Sequence, residues 1–545
     1  MILHSIISAT DVIRNPVMKL LPLGYSDFSV LRSPENNFLY VDKTDLLSIM
    51  LARSRFVFLA RPRRFGKSLL ASTLAELFAN GLEKFSGLKI EQTWKEQKYK
   101  VIALDFSQLT GRSTIEDFLQ ALDDSLVLNI QAAGFEAPAS ERLNPVLRWI
   151  RFLACAKELS IVLLVDEYDA PLAEQLHDPS HFEQVRNVIS SFFGATKTYS
   201  GRFRFVYVTG IMRFQQATLF SNFNALTDIS FMALYGGLLG FTESEIKSYF
   251  APWIENASSA TGETFEAVLS RLKAQYDGFC FDAKGRTHVY APWSILSFLS
   301  YPEEGYANFW YQSGSGTSAM LRNYFRTHEL FDPAKFDRPI FTTIDALQSA
   351  SHASALDDVQ ILASTGYLTI KEASPNGMLT LGFPNEEVRN SLGMLLNTAF
   401  WPSDFDRREL AQAFCRSILE KNEAKILEVL NAIVHHLDYQ NFTIKSESAV
   451  RQLLQIFCLG GGLNAQIETH SPHGRSDLEF SIGLLDVVFE LKHVKEAKSS
   501  RKALDEALTQ IQERDYGRKL PGRELVRFGL VFAEDERRFC QIKMA

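Results

Sequence analysis

Hydrophobic and polar positions divide the chain into three regions of different periodicity. In the first region, short continuous apolar runs alternate with stretches of helical spacing. Continuous apolar runs are typical of strands buried on both faces, so this region is predicted to be a parallel sheet covered by helices. The predicted strands are 56–60, 101–106, 161–165, 203–208 and 229–232, and the predicted helices include 45–52 and 114–131.

The second region begins near residue 236 and has mainly helical periodicity. Thr242 and Glu245 have the spacing of a capping box, which predicts that a helix starts there. Further along, Asn376-Gly377 separates two strand-like runs, 367–370 and 378–381. Asn-Gly between two such runs is a strong signal for a β-hairpin, because both residues tolerate positive φ.

Helical segments flank the predicted hairpin, at 356–366 and from Asn385 onward. Helix, hairpin and helix in this order suggest a winged-helix unit. Such units bind DNA or serve as rigid spacers. The first helix carries Asp357 and Asp358 and no Arg or Lys, so both roles remain open.

The third region returns to strands and helices in alternation, so the chain as a whole is predicted to be of the α/β class. The expected elements are a helix at 446–454, strands at 463–469, 474–480 and 485–492, a helix at 500–516 and a last strand at 526–532. We therefore expect an N-terminal extension (1–25) and three further units (26–235, 236–440 and 441–545).

Composition narrows the class of protein. A length of 545 residues suggests about 3–4 domains. The net charge of -7 means that any nucleic-acid binding depends on local basic patches. The five cysteines form no Cys-x-x-Cys pair, which argues against a zinc site or a disulfide framework. Without a signal peptide or an apolar stretch of about 18 residues, a cytoplasmic protein with no membrane partner is expected.

A strand–loop–helix segment carries the first candidate chemistry. The apolar run 56–60 leads into a loop, and Gly66-Lys67-Ser68 then opens a helical pattern. This context suits a phosphate-binding loop, because N–H groups and the helix dipole at a helix start bind anions. Lys67 would reach the β- and γ-phosphates, and Ser68 would hold Mg²⁺. Arg61 stands where the usual pattern has its first glycine, and a basic surface turn is the alternative.

Two acids end the apolar run 161–165 and complete the pattern of a P-loop ATPase. Asp166 would hold Mg²⁺ through water, and Glu167 would polarise the attacking water. The alternative is an acidic strand end that caps the next helix. Thr209 ends the following strand, where a sensor of the γ-phosphate belongs. Three arginines are candidates for an arginine finger: Arg213, Arg63 and Arg64.

The third region carries a second constellation. Glu490 and Lys492 are two residues apart on one predicted strand and therefore face the same side. Asp477 on the neighbouring strand can converge with them. Carboxylates that hold Mg²⁺ beside an ammonium group suit metal-dependent phosphodiester hydrolysis. Glu447 on the preceding helix could reach the same metal, and Gln510 on the following helix could support the site.

A solvated, salt-bridged strand edge is the alternative for these charges. Two observations weigh against it. The charges interrupt an apolar strand, and buried charges are costly unless they are paired or metal-bound. Basic residues also cluster nearby, as expected for a nucleic-acid site: Arg475, His493, Lys495, Lys498, Arg501 and Lys502.

These motifs together resemble a family over nearly the whole chain. The matching stretches are Tyr40-Val41-Asp42-Lys43-Thr44, Arg61-Pro62-Arg63-Arg64-Phe65-Gly66-Lys67-Ser68, Val165-Asp166-Glu167-Tyr168-Asp169, Thr209-Gly210-Ile211, Gly240-Phe241-Thr242-Glu243, Tyr276-Asp277-Gly278-Phe279, Gly366-Tyr367-Leu368-Thr369, Phe383-Pro384-Asn385, Gly474-Arg475-Ser476-Asp477, Glu490-Leu491-Lys492 and Gln510-Ile511. The chain looks like the bacterial AAA-ATPase-like proteins with a C-terminal PD-(D/E)XK nuclease domain. Phe279 replaces the family's usual Tyr.

The resemblance implies a P-loop NTPase domain, a middle helical and winged-helix region, and a restriction-endonuclease-like α/β domain. It implies ATP and Mg²⁺ as cofactors, with ATP held by Arg64, Phe65, Gly66, Lys67, Ser68, Leu69, Asp166 and Thr209. The implied catalytic residues are Glu167, Asp477, Glu490 and Lys492, and the implied metal ligands are Ser68, Asp166, Glu447, Asp477 and Glu490.

We expect an ATP-gated nuclease that acts on nucleic acid, with DNA as the first candidate and a homo-oligomer left open. One alternative is an ATP-driven switch in defence or signalling, whose C-terminal domain binds nucleic acid without cleaving it. Another is a module that binds nucleotide without turnover.

Overall fold

A computed structural model gives the architecture of the chain. It describes residues 18–139, 144–176, 178–213, 226–312, 320–322, 324–325, 339–348, 357–401, 407–437, 444–461, 463, 465–471, 474–517 and 522–545. Most of the predicted N-terminal extension lies outside these residues. Within the described part, no helix is both long and apolar enough to cross a membrane.

The first region is a parallel sheet with helices on both faces, as predicted. Its described strands have the order β2-β3-β4-β1-β5. The strands are β1 Phe56–Ala60, β2 Lys100–Asp105, β3 Ile161–Asp166, β4 Phe203–Gly210 and β5 Thr227–Asp228. The helices are α1 Phe28–Leu31, α2 Thr44–Arg53, α3 Lys67–Asn80, α4 Ile115–Ala132, α5 Pro145–Cys155, α6 Ala170–Glu174 and α7 Pro179–Thr198.

The fifth strand differs from its prediction. It ends at Asp228, before the apolar run 229–232 begins, so the strand predicted there is wrong. The Asp228 carboxylate accepts a hydrogen bond from the backbone N–H of Ser230 and turns the chain. The Ser230 hydroxyl then accepts a hydrogen bond from the Ala60 N–H at 2.8 Å. A side-chain oxygen thus takes the place of the backbone carbonyl that a longer β5 would offer to β1.

The second region begins with helices, continues through a small sheet and ends with helices again. The elements are α8 Glu243–Tyr249, α9 Ala251–Thr261, α10 Phe265–Tyr276, β6 Phe279–Cys280, β7 His288–Val289, α11 Pro292–Ser300, α12 Phe309–Gln312, β8 Ile340–Thr342, α13 Ile344–Gln348, α14 Asp358–Thr365, β9 Thr369–Ala373, β10 Leu379–Gly382, α15 Glu386–Phe400, α16 Arg407–Leu419 and α17 Glu423–His435. Strands β8, β10 and β9 pair in that order.

Local capping and turn signals specify the boundaries of this region. The capping box of Thr242 and Glu245 forms as predicted at the start of α8. Asp357 forms a second capping box, with Gln360, at the start of α14. The hairpin of β9 and β10 turns at Gly377, whose φ of +83° is a conformation that glycine adopts without strain.

The third region is a mixed sheet in the order β11-β12-β13-β14-β15. Its elements are α18 Glu447–Gly460, β11 Gln466–Ser471, β12 Gly474–Ile482, β13 Leu485–Val494, α19 Ser500–Arg514, β14 Glu524–Ala533 and β15 Arg538–Met544. Strands β13 and β14 are parallel, and the other pairs are antiparallel. The predicted last strand is therefore followed by one more, and the first strand starts three residues later than predicted.

Candidate functional site

The loop after β1 turns its first basic residue into the protein. Arg61 is 1% exposed, and its guanidinium donates to the carbonyls of Ala60 and Ser230 at 2.9 and 2.5 Å. It also donates to the Tyr235 carbonyl and lies 4.3 Å above the ring of Phe281. The Arg61 side chain therefore points out of the loop and anchors the loop to the turn after β5.

Lys67 lies at the start of α3 and points back into the same loop. Its ammonium group donates to the carbonyls of Arg61 and Pro62, each at 3.1 Å, and the residue is 4% exposed. Burial lowers the pKa of Lys67, although Glu167 and Asp166 act in the opposite direction. In the part of the chain that the structure describes, the hydrogen-bond acceptors of this buried cation are loop carbonyls, which an anionic ligand can replace.

Asp166, the last residue of β3, and Glu167, which follows it, both interact electrostatically with Lys67. Burial raises the pKa of the Asp166 carboxyl, and its hydrogen bond with Ser68 and the charge of Lys67 lower it. The guanidinium of Arg63 lies 3.8 Å from the Glu167 carboxylate. Ser68 and Asp166 are thus close enough to share a ligand, and the donor chemistry of a hydroxyl and a carboxylate fits Mg²⁺.

The side chains of Thr209 and Arg213 have partners other than Lys67, Ser68 and Asp166. The Thr209 hydroxyl donates to the Leu59 carbonyl at 2.7 Å, within the sheet, so a sensor role has no support in the geometry. The Arg213 guanidinium lies 3.6 Å from Asp228 and 4.2 Å above the ring of Phe231. Of the three predicted arginine fingers, Arg63 is the one beside Glu167.

A cavity of about 530 Å³ opens beside the loop. This volume lies in the range of about 300–1,000 Å³ that ligand pockets occupy. Predicted site residues Arg64, Phe65, Gly66, Lys67, Ser68, Leu69 and Glu167 line it, whereas Asp166 and Thr209 do not. Its far wall was not predicted, and it comprises Tyr25, Leu39, Val41, Phe241, Phe250, Trp293 and Leu296.

Trp293 shows how this wall meets the loop. The Arg64 guanidinium lies 4.1 Å above the Trp293 ring, which comes from α11 in the second region. The first residues of the described chain supply the opposite side, with Tyr25 half-exposed. The cavity is therefore polar and basic at the loop and apolar at its far end.

The second constellation assembles on β12 and β13. The antiparallel register, in which Leu478 opposes Phe489, brings Asp477 beside Glu490. Glu490 is 1% exposed, and its Oε1 accepts a hydrogen bond from the Lys492 ammonium at 2.9 Å. The Asp477 Oδ2 accepts from the Leu491 N–H at 2.8 Å, which fixes the orientation of that carboxylate.

Helix α18 adds a carboxylate and a cation. Glu447, in its first turn, lies 3.7 Å from the Lys492 ammonium. Arg451, one turn later, donates to the Asp477 Oδ1 at 3.2 Å. Sequence reasoning missed Arg451, although its spacing of four residues from Glu447 indicates a common helix face. Gln510 instead donates to the Tyr516 hydroxyl at 2.9 Å.

The described residues of the predicted basic cluster do not converge on the carboxylates. Lys498 and Lys502 are highly exposed. Lys498 lies beside Glu496, and Lys502 lies beside Glu506. His493 lies 3.4 Å from Glu534. The side chain of Arg475 lies outside the described part of the chain. The charges that the structure brings together are therefore those of the carboxylate cluster itself.

Burial sets the protonation of this cluster. It raises the pKa of Glu490 to about 7, and the neighbouring charge of Asp477 adds to that effect. Burial also raises the pKa of Glu447, against the charge of Lys492. Burial alone would lower the pKa of Lys492, but the surrounding carboxylates raise it.

The carboxylate oxygens of this cluster provide part of a binding site for a divalent cation. The Glu490 Oε2 is buried and has no hydrogen-bond partner within the described part of the chain. Carboxylate oxygens are the ligands that Mg²⁺ and Mn²⁺ prefer. Among the described residues, no three Asp, Glu, His or Cys side chains already converge as a metal-binding group. The orphaned oxygen and the adjacent Asp477 are thus the fitting part of the site.

Both constellations lie in segments of the chain that match known protein families. Residues 22–220 match the family described as "Predicted AAA-ATPase", and residues 445–542 match the PD-(D/E)XK nuclease superfamily. The chain combines an AAA-ATPase-like domain with a PD-(D/E)XK nuclease superfamily domain. An "uncharacterized protein in vnfD 5′ region" of Azotobacter chroococcum mcd 1 is 28% identical over 531 residues, which are 95% of this chain and 97% of that protein.

The middle region lies directly against the loop of the AAA-ATPase-like domain. Phe65 packs on the rings of Phe279 and Trp310, with centroids 4.9 and 6.2 Å apart. At Gly366, which ends α14, an added Cβ would lie 2.8 Å from Pro62. The loop that follows β1 is thus in contact with three elements of the middle region, β6, α12 and the end of α14.

The middle region also reaches the nuclease superfamily domain. Helices α15 and α18 approach so closely that a Cβ on Gly393 would lie 2.4 Å from Leu459. The Asn397 amide donates to the Ile456 carbonyl at 2.6 Å across the same contact. One apolar cluster extends from the N-terminal sheet through these helices into the C-terminal sheet.

Proposed function

We propose that the chain is an ATP-binding and ATP-hydrolysing enzyme that controls a metal-dependent nuclease, with DNA as the first substrate to test and RNA as the second. The observation that carries the nuclease half is the buried cluster of Asp477, Glu490 and Lys492. The Glu490 Oε2, for which the described residues supply no hydrogen-bond partner, supports the role of a cation ligand, because burying an unpaired acceptor is otherwise costly.

In the nucleotide half, Lys67 would exchange its two loop carbonyls for phosphate oxygens. Ser68 and Asp166 would hold Mg²⁺, and Glu167 would orient the attacking water. Arg63 is the basic residue placed to contact the phosphates, since it already lies beside Glu167. The apolar far wall of the cavity would cover the base.

In the nuclease half, a divalent cation on Asp477 and Glu490, with Glu447 as a further ligand, would activate water and neutralise charge on the phosphate. Lys492 is held by Glu490 and Glu447 on either side, so its ammonium group is positioned to orient that water or to stabilise the phosphate. The raised pKa keeps this group charged.

We interpret β8, α13, α14, β9 and β10 as a winged-helix unit that acts as a spacer. Ile361, Leu362 and Thr365 of α14 are buried, and Gly366 at its end abuts Pro62. A helix used in this way is not free to enter a DNA groove. Its acidic start, at Asp357 and Asp358, also disfavours phosphate contacts. We retain the domain limits 26–235, 236–440 and 441–545 and a cytoplasmic location as part of the proposal.

The test is a cleavage assay on DNA and RNA with Mg²⁺ or Mn²⁺, with and without ATP. Lys492→Ala should abolish cleavage and leave ATP hydrolysis intact, whereas Lys67→Ala should abolish ATP hydrolysis. Lys543→Ala and Lys98→Ala, at exposed lysines of the same two domains, are the matched controls. Unchanged cleavage by the Lys492→Ala enzyme would refute the site.

A second function is favoured by one observation. Arg451 and Lys492 already neutralise two of the carboxylates, and the described residues form no ready three-ligand group. This arrangement would also suit an ATP-driven switch whose C-terminal domain binds nucleic acid without cleaving it. Retention of DNA without metal-dependent cleavage, under conditions where ATP is hydrolysed, would favour the switch.

A further inference from the structure

Arg451 is the charged residue of the C-terminal cluster that the proposed function leaves without a role. It lies on α18, four residues after Glu447, so both side chains project from one face of the helix toward the sheet. Its side chain is 16% exposed, and that of Asp477 is 10% exposed. The pair is therefore nearly buried but lies at the edge of the site.

The guanidinium contributes charge to Asp477 more than orientation. The Leu491 N–H already fixes the Asp477 carboxylate through Oδ2, and Arg451 contacts the other oxygen, Oδ1, at 3.2 Å. In the absence of a metal ion, Asp477 and Glu490 repel one another, because both carboxylates lie in a poorly solvated site. The fixed positive charge of Arg451 offsets that repulsion.

A divalent cation on Asp477 would change the position that is most favourable for Arg451. The cation and the guanidinium would compete for the same carboxylate and would repel one another at close range. Arginine has a long side chain and a planar fork of donors that matches phosphate oxygens. Released from Asp477, it would lie beside the nucleic-acid backbone that the same cation attracts.

We propose that Arg451 is a phosphate-binding residue of the C-terminal site, held by Asp477 without metal and released when a divalent cation takes that carboxylate. The inference rests on the proposed metal-dependent function of this site. It gives Arg451 two opposed effects, since the residue weakens metal binding and strengthens nucleic-acid binding. A residue that only oriented Asp477 would strengthen metal binding.

The first experiment is a Mn²⁺ titration of the full chain without nucleic acid, followed by electron paramagnetic resonance. Arg451→Gln should bind Mn²⁺ about tenfold more tightly than the wild type, because a nearby positive charge is gone. Arg451→Lys keeps the charge and should stay within about threefold of the wild type. Arg538→Gln, at an exposed ion pair of the same domain, should not change the affinity. Circular dichroism checks that each variant is folded.

The second experiment measures binding of a short fluorescein-labelled DNA duplex in Ca²⁺ at several salt concentrations. Arg451→Gln should weaken binding and reduce the slope of log K against log salt by about 1, which is the signature of one lost phosphate contact. Arg538→Gln should keep the wild-type slope. An unchanged slope in Arg451→Gln would overturn the phosphate-binding role.

The outcomes separate this inference from the proposed function. Wild-type protein that binds no Mn²⁺ would overturn the metal-dependent function and the inference together. Wild-type protein that binds Mn²⁺, with an Arg451→Gln variant that binds it equally or more weakly, would overturn the inference alone. If Arg451→Gln does not fold, the Arg451→Lys variant replaces it in the test. Mn²⁺ binding by Arg451→Lys that is more than about tenfold weaker than in the wild type would overturn the inference alone.

Discussion

Glu387 is a buried carboxyl in the middle region, and its replacement by glutamine should stabilise the protein at alkaline pH. The residue is 1% exposed. It accepts hydrogen bonds from the Ser294 hydroxyl at 2.8 Å and from the Trp310 N–H at 2.9 Å. Burial outweighs these bonds and raises the pKa of Glu387 to about 8. The folded protein therefore keeps this group protonated near neutral pH.

The magnitude follows from proton linkage. Between the ordinary glutamate pKa of 4.5 and about 8, the folded state binds one proton more than the unfolded state at this position. Stability consequently falls as pH rises through this interval and levels off above it. At about 1.4 kcal/mol per pH unit, the loss approaches about 5 kcal/mol as an upper limit.

Glutamine has no proton to lose, so the Glu387→Gln variant should escape this penalty. Its amide oxygen can accept from the Trp310 N–H, and its NH₂ group can donate to the Ser294 hydroxyl. At pH 5 the variant should differ from the wild type by less than about 1 kcal/mol. At pH 8 its melting temperature should be several degrees higher, since about 1 kcal/mol shifts Tm by about 2–4 °C in a domain of this size.

The assay is scanning calorimetry of both proteins from pH 5 to pH 8.5 in buffers of equal ionic strength. The control is Glu386→Gln, because Glu386 is the exposed neighbour, and its carboxylate accepts a hydrogen bond from the surface amide of Gln275. That variant should follow the wild-type pH profile. If the difference in melting temperature between Glu387→Gln and the wild type does not increase with pH, the Glu387 carboxyl is not protonated in the folded state.

Two further changes test one contact within the middle region and one between the first and second regions. Gly278→Ala should destabilise the chain by about 2 kcal/mol or more, because φ is +93° and the new Cβ would lie 2.3 Å from the Pro384 carbonyl. In chemical denaturation, Gly377→Ala is the matched control, because its φ is +83° and no described atom lies within 4 Å of the added Cβ. An equal loss of stability in both variants would show that only φ matters. Lys43→Met should weaken nucleotide binding severalfold in a fluorescent-nucleotide titration, because Lys43 fastens the cavity's N-terminal wall to Glu245 at 2.7 Å, and unchanged affinity would refute that role.

Sequence reasoning succeeded where a site depends on neighbours along the chain. Lys67 starts the helix that follows β1, so its position at the end of the loop could be predicted from the order of elements along the chain. Glu490 and Lys492 share a face because side chains alternate along a strand. Their convergence with Asp477 required only that two consecutive strands pair, which a hairpin connection favours.

The same reasoning could not provide what distant segments contribute. Tyr25 and Trp293 are far apart in sequence, and their meeting at one cavity depends on how the middle region packs. Arg61 looked like a defect in the loop, because nothing local shows that its guanidinium would find carbonyls beyond β5. Thr209 was placed correctly at a strand end, but the direction of its hydroxyl depends on the neighbouring strand.

The contacts of the middle region suggest how one site would influence the other. Pro62 and Phe65 of the loop touch Gly366 and Trp310, so a loop that changes shape around a triphosphate must displace both. Trp310 is hydrogen-bonded to Glu387 at the first turn of α15. Close-packed interiors transmit such displacements, since they have no space to absorb them.

Helix α15 then meets α18 through the glycine contact at Gly393, where the helices cannot slide past one another without losing the Asn397 hydrogen bond. The other end of α18 carries Glu447 and Arg451, which contact Lys492 and Asp477. A shift of this helix along its axis would therefore alter the charges around the carboxylates first. Control by ATP in our proposal thus requires no movement of the sheet, only a small displacement of one helix.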